Sequence, residues 1–292
     1  MNPIDLRGPE FLLFYLILMV VTVAALVILR RADESGQAPK TDLADPYLIA
    51  YLRGGANEAL RVALVSLVDR GLLTVDGELV GRAKHATPDS VRRPIEKKLI
   101  EKFQGQGEAK IIFTDATLKA ACEPYREKLK ALGLLPDATA MKARWMRFVW
   151  ALLLLEGLGA AKIYLALSRG RTNIIFLVIL MIVTIIAAAM ASFPGRTARG
   201  NAMLEDIRTL YAGLKERARL IHPGGATADA VMLAAVFGVG ALAGDGFAFT
   251  QKLFPRATSS SSSSSCGSSC GSSCGSSCGG GGCGGGCGGC GS

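Results

Sequence analysis

Three long apolar runs divide the chain, at residues 11–29, 146–167 and 174–193. Nineteen helical residues rising 1.5 Å each cross most of a hydrocarbon core of ~30 Å. The first run has no charged residue, and basic residues follow it where a signal peptide would need a cleavage site. The pattern predicts a mainly α membrane protein with three transmembrane helices. They comprise an uncleaved anchor (1–31) and a membrane hairpin (145–193).

Between the first two runs, apolar residues recur with the period of a packed domain, for which we expect the bounds 42–135. One helical stripe is formed by Leu60, Leu64, Leu67 and Val68. Asp76-Gly77 then predicts the tight turn of a β-hairpin, with a strand on either side. A helix followed by a short hairpin is typical of a winged helix, so we predict a small winged-helix-like domain.

Two further helices are expected in this domain. One begins at Pro94, a favoured residue of a first helical turn. Another begins at Thr114 as its N-cap and is kinked or broken at Pro124. Cys122 falls on the apolar stripe of that helix. A buried and inert thiol is therefore expected there rather than a functional one.

After the hairpin the chain becomes amphipathic again. Residues 197–222 carry apolar positions at helical spacing and predict a helix packed on the soluble domain, a partner or the membrane surface. Within 226–255, the apolar stretch 230–242 is short for a span and rich in Gly. We expect a buried or interfacial segment, with a fourth span as the alternative.

Charge sets the expected orientation. The positive-inside rule places the N-terminus outside and the basic residues from Arg30 onward in the cytoplasm. Three spans leave the C-terminus in the cytoplasm, where thiols are mostly reduced. Four spans would place it outside, where disulfides are the default.

Composition supports the membrane interpretation. Half of the 292 residues are hydrophobic and the mean hydropathy is +0.35, more apolar than an ordinary soluble domain. A lipid bilayer is therefore the expected partner. The formal charge of +9 arises before Ala257. Acidic residues are interleaved with the basic ones in 42–135, which argues against a nucleic-acid surface.

The last stretch, 259–292, contains only Ser, Cys and Gly, and it carries seven of the eight cysteines. These are Cys266, Cys270, Cys274, Cys278, Cys283, Cys287 and Cys290. A segment of this composition cannot bury apolar surface against its chain entropy, so we predict a disordered tail.

Three interpretations of the tail follow from its thiols. Repeated Cys-Gly-Ser-Ser units would give a cysteine-modifying enzyme several equivalent, open sites. Alternatively, the thiolates would wrap a soft metal, Zn²⁺ or Cu(I), although only Cys287 and Cys290 have Cys-x-x-Cys spacing. The third interpretation is a functionally neutral low-complexity sequence whose thiols merely form disulfides.

The second apolar run contains Glu156 near its middle and Lys162 closer to one end, and both side chains are ionisable. Such residues are costly at membrane depth and are candidate functional sites. Six residues on a helix correspond to a rotation of about 240°, so the two do not share a face. Lys162 is expected to snorkel. Glu156 is expected to be neutral or bonded to a neighbouring helix at a site such as Thr184, in packing or assembly rather than proton transfer.

The sequence offers little for catalysis. Its two histidines, His85 and His222, lie in no metal or triad pattern, and no nucleotide-binding loop is present. We therefore expect a protein that is not an enzyme.

Several short motifs, Arg53-Gly54-Gly55, Asp69-Arg70-Gly71-Leu72-Leu73 and Val236-Phe237-Gly238, accompany this layout of anchor, soluble domain, membrane hairpin and variable tail. Over nearly the whole chain the arrangement resembles a bacterial membrane-protein family of unknown function. The resemblance implies a tail similar to the substrate region of ribosomally made, modified peptides. It also implies a partner enzyme of the multinuclear non-haem iron type, which oxidises such cysteines.

Overall fold

The computed structural model describes residues 8–34, 44–168, 175–218, 224, 227–242 and 245–255. Its three longest helices are α1 (Gly8–Glu34), α7 (Ala138–Ser168) and α8 (Ile175–Ser192). Each is long and apolar enough to cross a membrane, as the sequence predicts. The chain is mainly helical, and its composition and these helices indicate an integral membrane protein.

The three long helices pack against one another along apolar seams. Near one end, Phe11 and Tyr15 of α1 lie against Leu177 of α8. Near the other end, Leu26 of α1 packs with Phe148 of α7 and Ala188 of α8. The outward faces carry large exposed apolar side chains, which in water would be costly and in lipid would not.

Between α1 and α7 the chain forms a helical region with a small sheet. Helices α2 (Pro46–Gly54) and α3 (Ala56–Asp69) precede the antiparallel hairpin of β1 (Leu73–Asp76) and β2 (Leu79–Arg82). Then follow α4 (Pro94–Lys102), β3 (Gly107–Glu108), a 3₁₀ turn (Ala109–Phe113), α5 (Ala116–Ala121) and α6 (Glu123–Ala131). β2 is the central strand, paired with β1 and β3.

The hairpin turn lies one residue later than predicted. Asp76 pairs with Leu79, so the two-residue turn is Gly77-Glu78 rather than Asp76-Gly77. Gly77 has a φ of 64°, which glycine adopts without steric cost. The positive φ therefore falls at the glycine, and the aspartate remains the last residue of the strand.

The predicted helix from Thr114 also differs in detail. Asp115, not Thr114, caps α5, because its carboxylate accepts a hydrogen bond from the Thr117 N–H at 2.8 Å. The break at Pro124 is present, since α5 ends at Ala121 and α6 begins at Glu123. Proline is accommodated in the first turn of α6, where its missing N–H needs no helical partner.

After the membrane hairpin the chain returns to this region. Helices α9 (Ala198–Leu210) and α10 (Ala212–Glu216) replace the single amphipathic helix predicted over 197–222, with the interruption at Tyr211. α11 (Thr227–Phe237), a 3₁₀ turn (Val239–Ala241) and α12 (Ala248–Leu253) follow.

One hydrophobic core joins the residues before the membrane hairpin to those after it. Ile49 of α2 and Leu60 of α3 are fully buried, as are Leu233, Ala234 and Val236 of α11. The described residues of 44–134 and 198–255 therefore form one unit, called here the soluble body. The apolar stretch 230–242 lies inside it and is not among the three long helices.

Candidate functional site

The seven tail cysteines lie outside the described residues, but the attachment of the tail is described. The Phe254 side chain, 4% exposed, packs edge-on against Phe113, with 5.9 Å between the ring centroids. The Arg61 guanidinium lies over both rings, 4.8 Å from the Phe113 centroid and 5.8 Å from that of Phe254. The tail therefore follows directly from a segment anchored in the soluble body.

The eighth cysteine, Cys122, is buried at 1% exposure, and its thiol donates a weak hydrogen bond to the Leu118 carbonyl at 3.4 Å. Burial, with a smaller contribution from Glu123, raises the pKa of this thiol to about 12. Since the thiolate is the reactive form, this environment suppresses its chemistry. Cys122 is a packing residue of the soluble body.

Glu156 lies near the middle of α7, and its buried Oε1 atom has no hydrogen-bond partner. Thr184, proposed above as a partner, instead donates its hydroxyl to the Leu180 carbonyl of its own helix at 2.8 Å. Threonine commonly forms this bond one turn back along a helix. Glu156 therefore shares the bundle interior with Thr184 without a bond to it.

Tyr15 of α1 completes this polar cluster, and the sequence did not single it out. Its hydroxyl donates to the Leu155 carbonyl at 3.3 Å and lies close to both Glu156 and Thr184. Tyr15 and Thr184 are fully buried. One sequence signal could have indicated its role. Tyr15 lies within an otherwise apolar span, whereas tyrosine is more often found at the membrane surface.

Lys162 lies apart from Glu156. Its ammonium group is 4.6 Å from the centre of the Phe11 ring, near the start of α1. This cation–π contact places the charge towards the end of the bundle distant from the soluble body. The structure therefore does not bring the two intramembrane candidates together into one site.

The motif Asp69-Arg70-Gly71-Leu72-Leu73 is used for packing. Arg70 bridges to Glu96 at 3.2 Å, and Tyr47 donates its hydroxyl to the same carboxylate at 2.5 Å. Asp69 accepts a hydrogen bond from the Gly224 N–H at 2.9 Å, and Gly71 ends the helix with a φ of 68°. Each polar residue of the motif holds α3 against another part of the chain.

The other two motifs meet in space. Arg53 pairs with Glu58, and its guanidinium lies against the backbone of Gly238, where a Cβ would be only 2.6 Å from the Arg53 Nη1 atom. Gly55 and Gly238 have φ values of 76° and 102°, which suit glycine. Arg53-Gly54-Gly55 and Val236-Phe237-Gly238 therefore form one contact, between α2 and the end of α11.

A buried ionic cluster joins the three long helices to the soluble body, and sequence reasoning missed it. Arg144 of α7, 3% exposed, bridges to Glu34 of α1 at 2.5 Å. The same guanidinium donates to the Pro194 carbonyl at 2.9 Å, and Glu34 accepts from the N–H of Ala198 at the start of α9. Charges near span ends are common, so their spacing did not indicate this contact.

The described part of the chain offers no metal centre and no catalytic constellation. No group of three His, Cys, Asp or Glu residues there could hold a metal ion. His85 is exposed, and His222 lies outside the described residues. The thiols of the tail therefore remain the candidate functional groups with the clearest chemistry.

Comparisons of the chain with protein-family models, curated proteins and solved structures gave no match.

Proposed function

We propose that the protein is a non-catalytic membrane anchor that presents its Cys-rich tail, as a substrate, to a cysteine-modifying enzyme. The observation that carries this proposal is the junction at Phe254. The anchored Phe254 is followed within a few residues by the tail 259–292, which carries seven thiols in a setting of Ser and Gly. An enzyme could process such units in succession, because each presents the same unhindered neighbours.

The proposal includes a cytoplasmic location for the soluble body and the tail, with the N-terminus outside. Support comes from the ionic cluster at Glu34 and Arg144, which places the end of α1 beside the start of α7 and the end of α8. Arg30, Arg31 and Arg147 lie at the same end of the bundle. Basic residues near span ends favour the cytoplasmic side.

The winged-helix-like domain and the family resemblance belong to the same proposal. The order of α3, β1 and β2, with β3 added to the hairpin, supports the first. The second rests on the three short motifs and on the order of the segments along the chain.

Soft-metal binding by the tail is the second candidate, favoured by the number of thiols. Thiolates bind Zn²⁺ and Cu(I) tightly, and a chain with many of them can adapt to either metal. A neutral tail whose thiols only form disulfides is the third interpretation.

Intact-mass analysis separates the three candidates. The full chain is expressed with and without its genomic neighbours, purified, and measured before and after complete reduction and alkylation. Modification predicts mass changes that survive reduction, map to the tail and disappear without the neighbours. A tail that is fully alkylated in both preparations would contradict the proposal.

Two further measurements identify metal binding and disulfide formation. Metal binding predicts stoichiometric Zn or Cu in the purified protein and thiol protection that a chelator reverses. Disulfides alone predict a loss of two mass units per pair, which reduction reverses. Cys122 serves as the internal control, since its buried thiol should carry no modification before alkylation and should be fully alkylated afterwards in every preparation.

A further inference from the structure

A cleft of about 460 Å³ separates the soluble body from the start of the membrane hairpin. Its walls come from the end of α2, from α6, from the first turn of α7 and from the segment that joins α8 to α9. This volume is in the range of small-molecule sites. The cleft therefore lies where four parts of the chain converge.

The position of the cleft along α7 places it at the level of lipid headgroups. Met141, on its wall, precedes Trp145 by four residues, or about 6 Å along the helix axis. Trp145 is 57% exposed, and exposed tryptophans are enriched at membrane surfaces. Each headgroup layer is roughly 5–8 Å thick, so a ligand in the cleft would lie within that layer.

The charged residues that line the cleft are all basic: Arg53, Arg126, Lys130 and Arg196. Arg53 is neutralised by Glu58. Arg126 and Lys130, one turn apart on α6, pair with Glu123 at 3.3 Å and Glu127 at 2.8 Å. Both glutamates are exposed and neither lines the cleft, and exposed pairs of this kind are weak. Either cation can therefore turn to a ligand.

Arg196 lacks an acidic partner among the described residues. Its guanidinium donates to two neutral oxygens, the Arg53 carbonyl at 2.6 Å and the Asn201 side chain at 3.5 Å. Burial, and then the nearby Arg208, lowers the pKa of this guanidinium. An anion in the cleft would offset both the lost hydration and the repulsion.

We propose that this cleft binds a phosphate-bearing anion through Arg126, Lys130 and Arg196. Guanidinium groups match phosphate oxygens in pairs, while lysine supplies a compact charge. The apolar side chains of Met141 and Leu135 on the wall suit the glycerol and upper chains of a lipid. The same phosphate chemistry occurs on an anionic phospholipid and on a soluble phosphate ester, and the test below distinguishes them.

The test measures dissociation constants of the full chain in detergent micelles. The probes are short-chain phosphatidylglycerol, short-chain phosphatidylcholine and glycerol phosphate. Arg196→Gln and Lys130→Gln are each expected to weaken binding about tenfold, the usual effect of losing a charge-assisted hydrogen bond. Lys128→Gln, an exposed lysine of the same helix outside the cleft, should change it less than about twofold. Lys130→Gln should change folding little, because among the described residues Lys130 pairs only with the exposed Glu127, so it keeps the test valid if Arg196→Gln unfolds the chain.

Each result of these measurements either supports or overturns the proposed phosphate site. Phosphatidylglycerol binding that depends on the cleft residues assigns the phosphate to a lipid, and the same dependence for glycerol phosphate alone assigns it to a soluble ester. Equal affinity for phosphatidylcholine would overturn the proposal, because that headgroup is zwitterionic. An equal effect of Lys128→Gln, or none from either cleft variant, would overturn it as well.

Discussion

Arg144 and Glu34 form a buried ion pair where all three long helices reach the soluble body. Replacing Arg144 with Met removes the ion-pair partner of the buried Glu34 carboxylate. Loss of one partner of a buried pair costs about 3–5 kcal/mol. We therefore expect Arg144→Met to lower the free energy of unfolding by that amount, measured by thermal unfolding of the full chain in detergent micelles.

Lys142→Met is the matched control. Lys142 is an exposed residue two positions earlier in α7, so its replacement should change the free energy by less than about 0.5 kcal/mol. The double variant Glu34→Met with Arg144→Met should recover part of the loss, since no lone charge remains buried. Equal unfolding temperatures for Arg144→Met and Lys142→Met would contradict this account.

Cys122 provides a prediction about pH. Because burial raises the pKa of its thiol to about 12, the folded chain keeps this proton where the unfolded chain has lost it. The resulting stability is present below the ordinary thiol pKa of about 8.5 and is lost as the pH rises towards 12. At pH 8 the thiolate fraction should be about a thousandfold below that of an ordinary thiol.

Timed alkylation at pH 8 with peptide mapping checks this. Cys122 should stay unlabelled in the native chain and react at once in denaturant, whereas Cys122→Ala should remove the labelled peptide and the alkaline loss of stability assigned to this thiol. Native labelling at the rate of a free thiol would show that the site is open.

The membrane hairpin illustrates packing between elements. On α7, a Cβ added at Gly159 would lie 2.8 Å from the Met181 Sδ atom of α8. Small residues at such a point allow two helices to approach closely in a membrane. Gly159→Ile should therefore separate α7 from α8 and lower the free energy of unfolding by about 1–3 kcal/mol, measured in lipid nanodiscs.

Gly157→Ile supplies the comparison within the same helix. A Cβ at Gly157 meets no atom within 4 Å, so this variant should unfold at nearly the wild-type temperature. If the two variants behave alike, the interface between α7 and α8 is not the one described.

Elements were the part most accurately predicted. Long apolar runs specify membrane helices, since nothing else buries so many consecutive apolar residues. Pro94 marked a helix start correctly, and Pro124 correctly marked a break between two helices. The predicted helix cap at Thr114 was wrong, since Asp115 caps the helix. Both side chains can accept the capping hydrogen bond, so the sequence did not distinguish them.

For the molecule as a whole, orientation gives the clearest prediction. Asn2→Cys should react with a membrane-impermeant thiol reagent on intact cells, while Lys128→Cys in the soluble body should react only after permeabilisation. The tail thiols should follow Lys128→Cys, because α11 lies in the core of the same body.

Peptide mapping assigns each label. Tail labelling on intact cells would place α11 across the membrane and contradict the cytoplasmic assignment. A tail that resists the reagent even after permeabilisation, denaturation and reduction would indicate thiols already consumed by modification.

The sequence by itself determined the membrane character, the positions of the three long helices, the helix-and-hairpin order of the soluble region and the presence of seven cysteines in the tail. These properties follow from composition and from the spacing of apolar residues over short stretches of the chain. Tertiary structure alone decided that 230–242 packs within the soluble core, that Arg53 meets Gly238, that Tyr15 lies beside Glu156, and that Glu34 pairs with Arg144. Each of these contacts joins residues that are far apart along the chain. The local sequence pattern carries no information about such contacts.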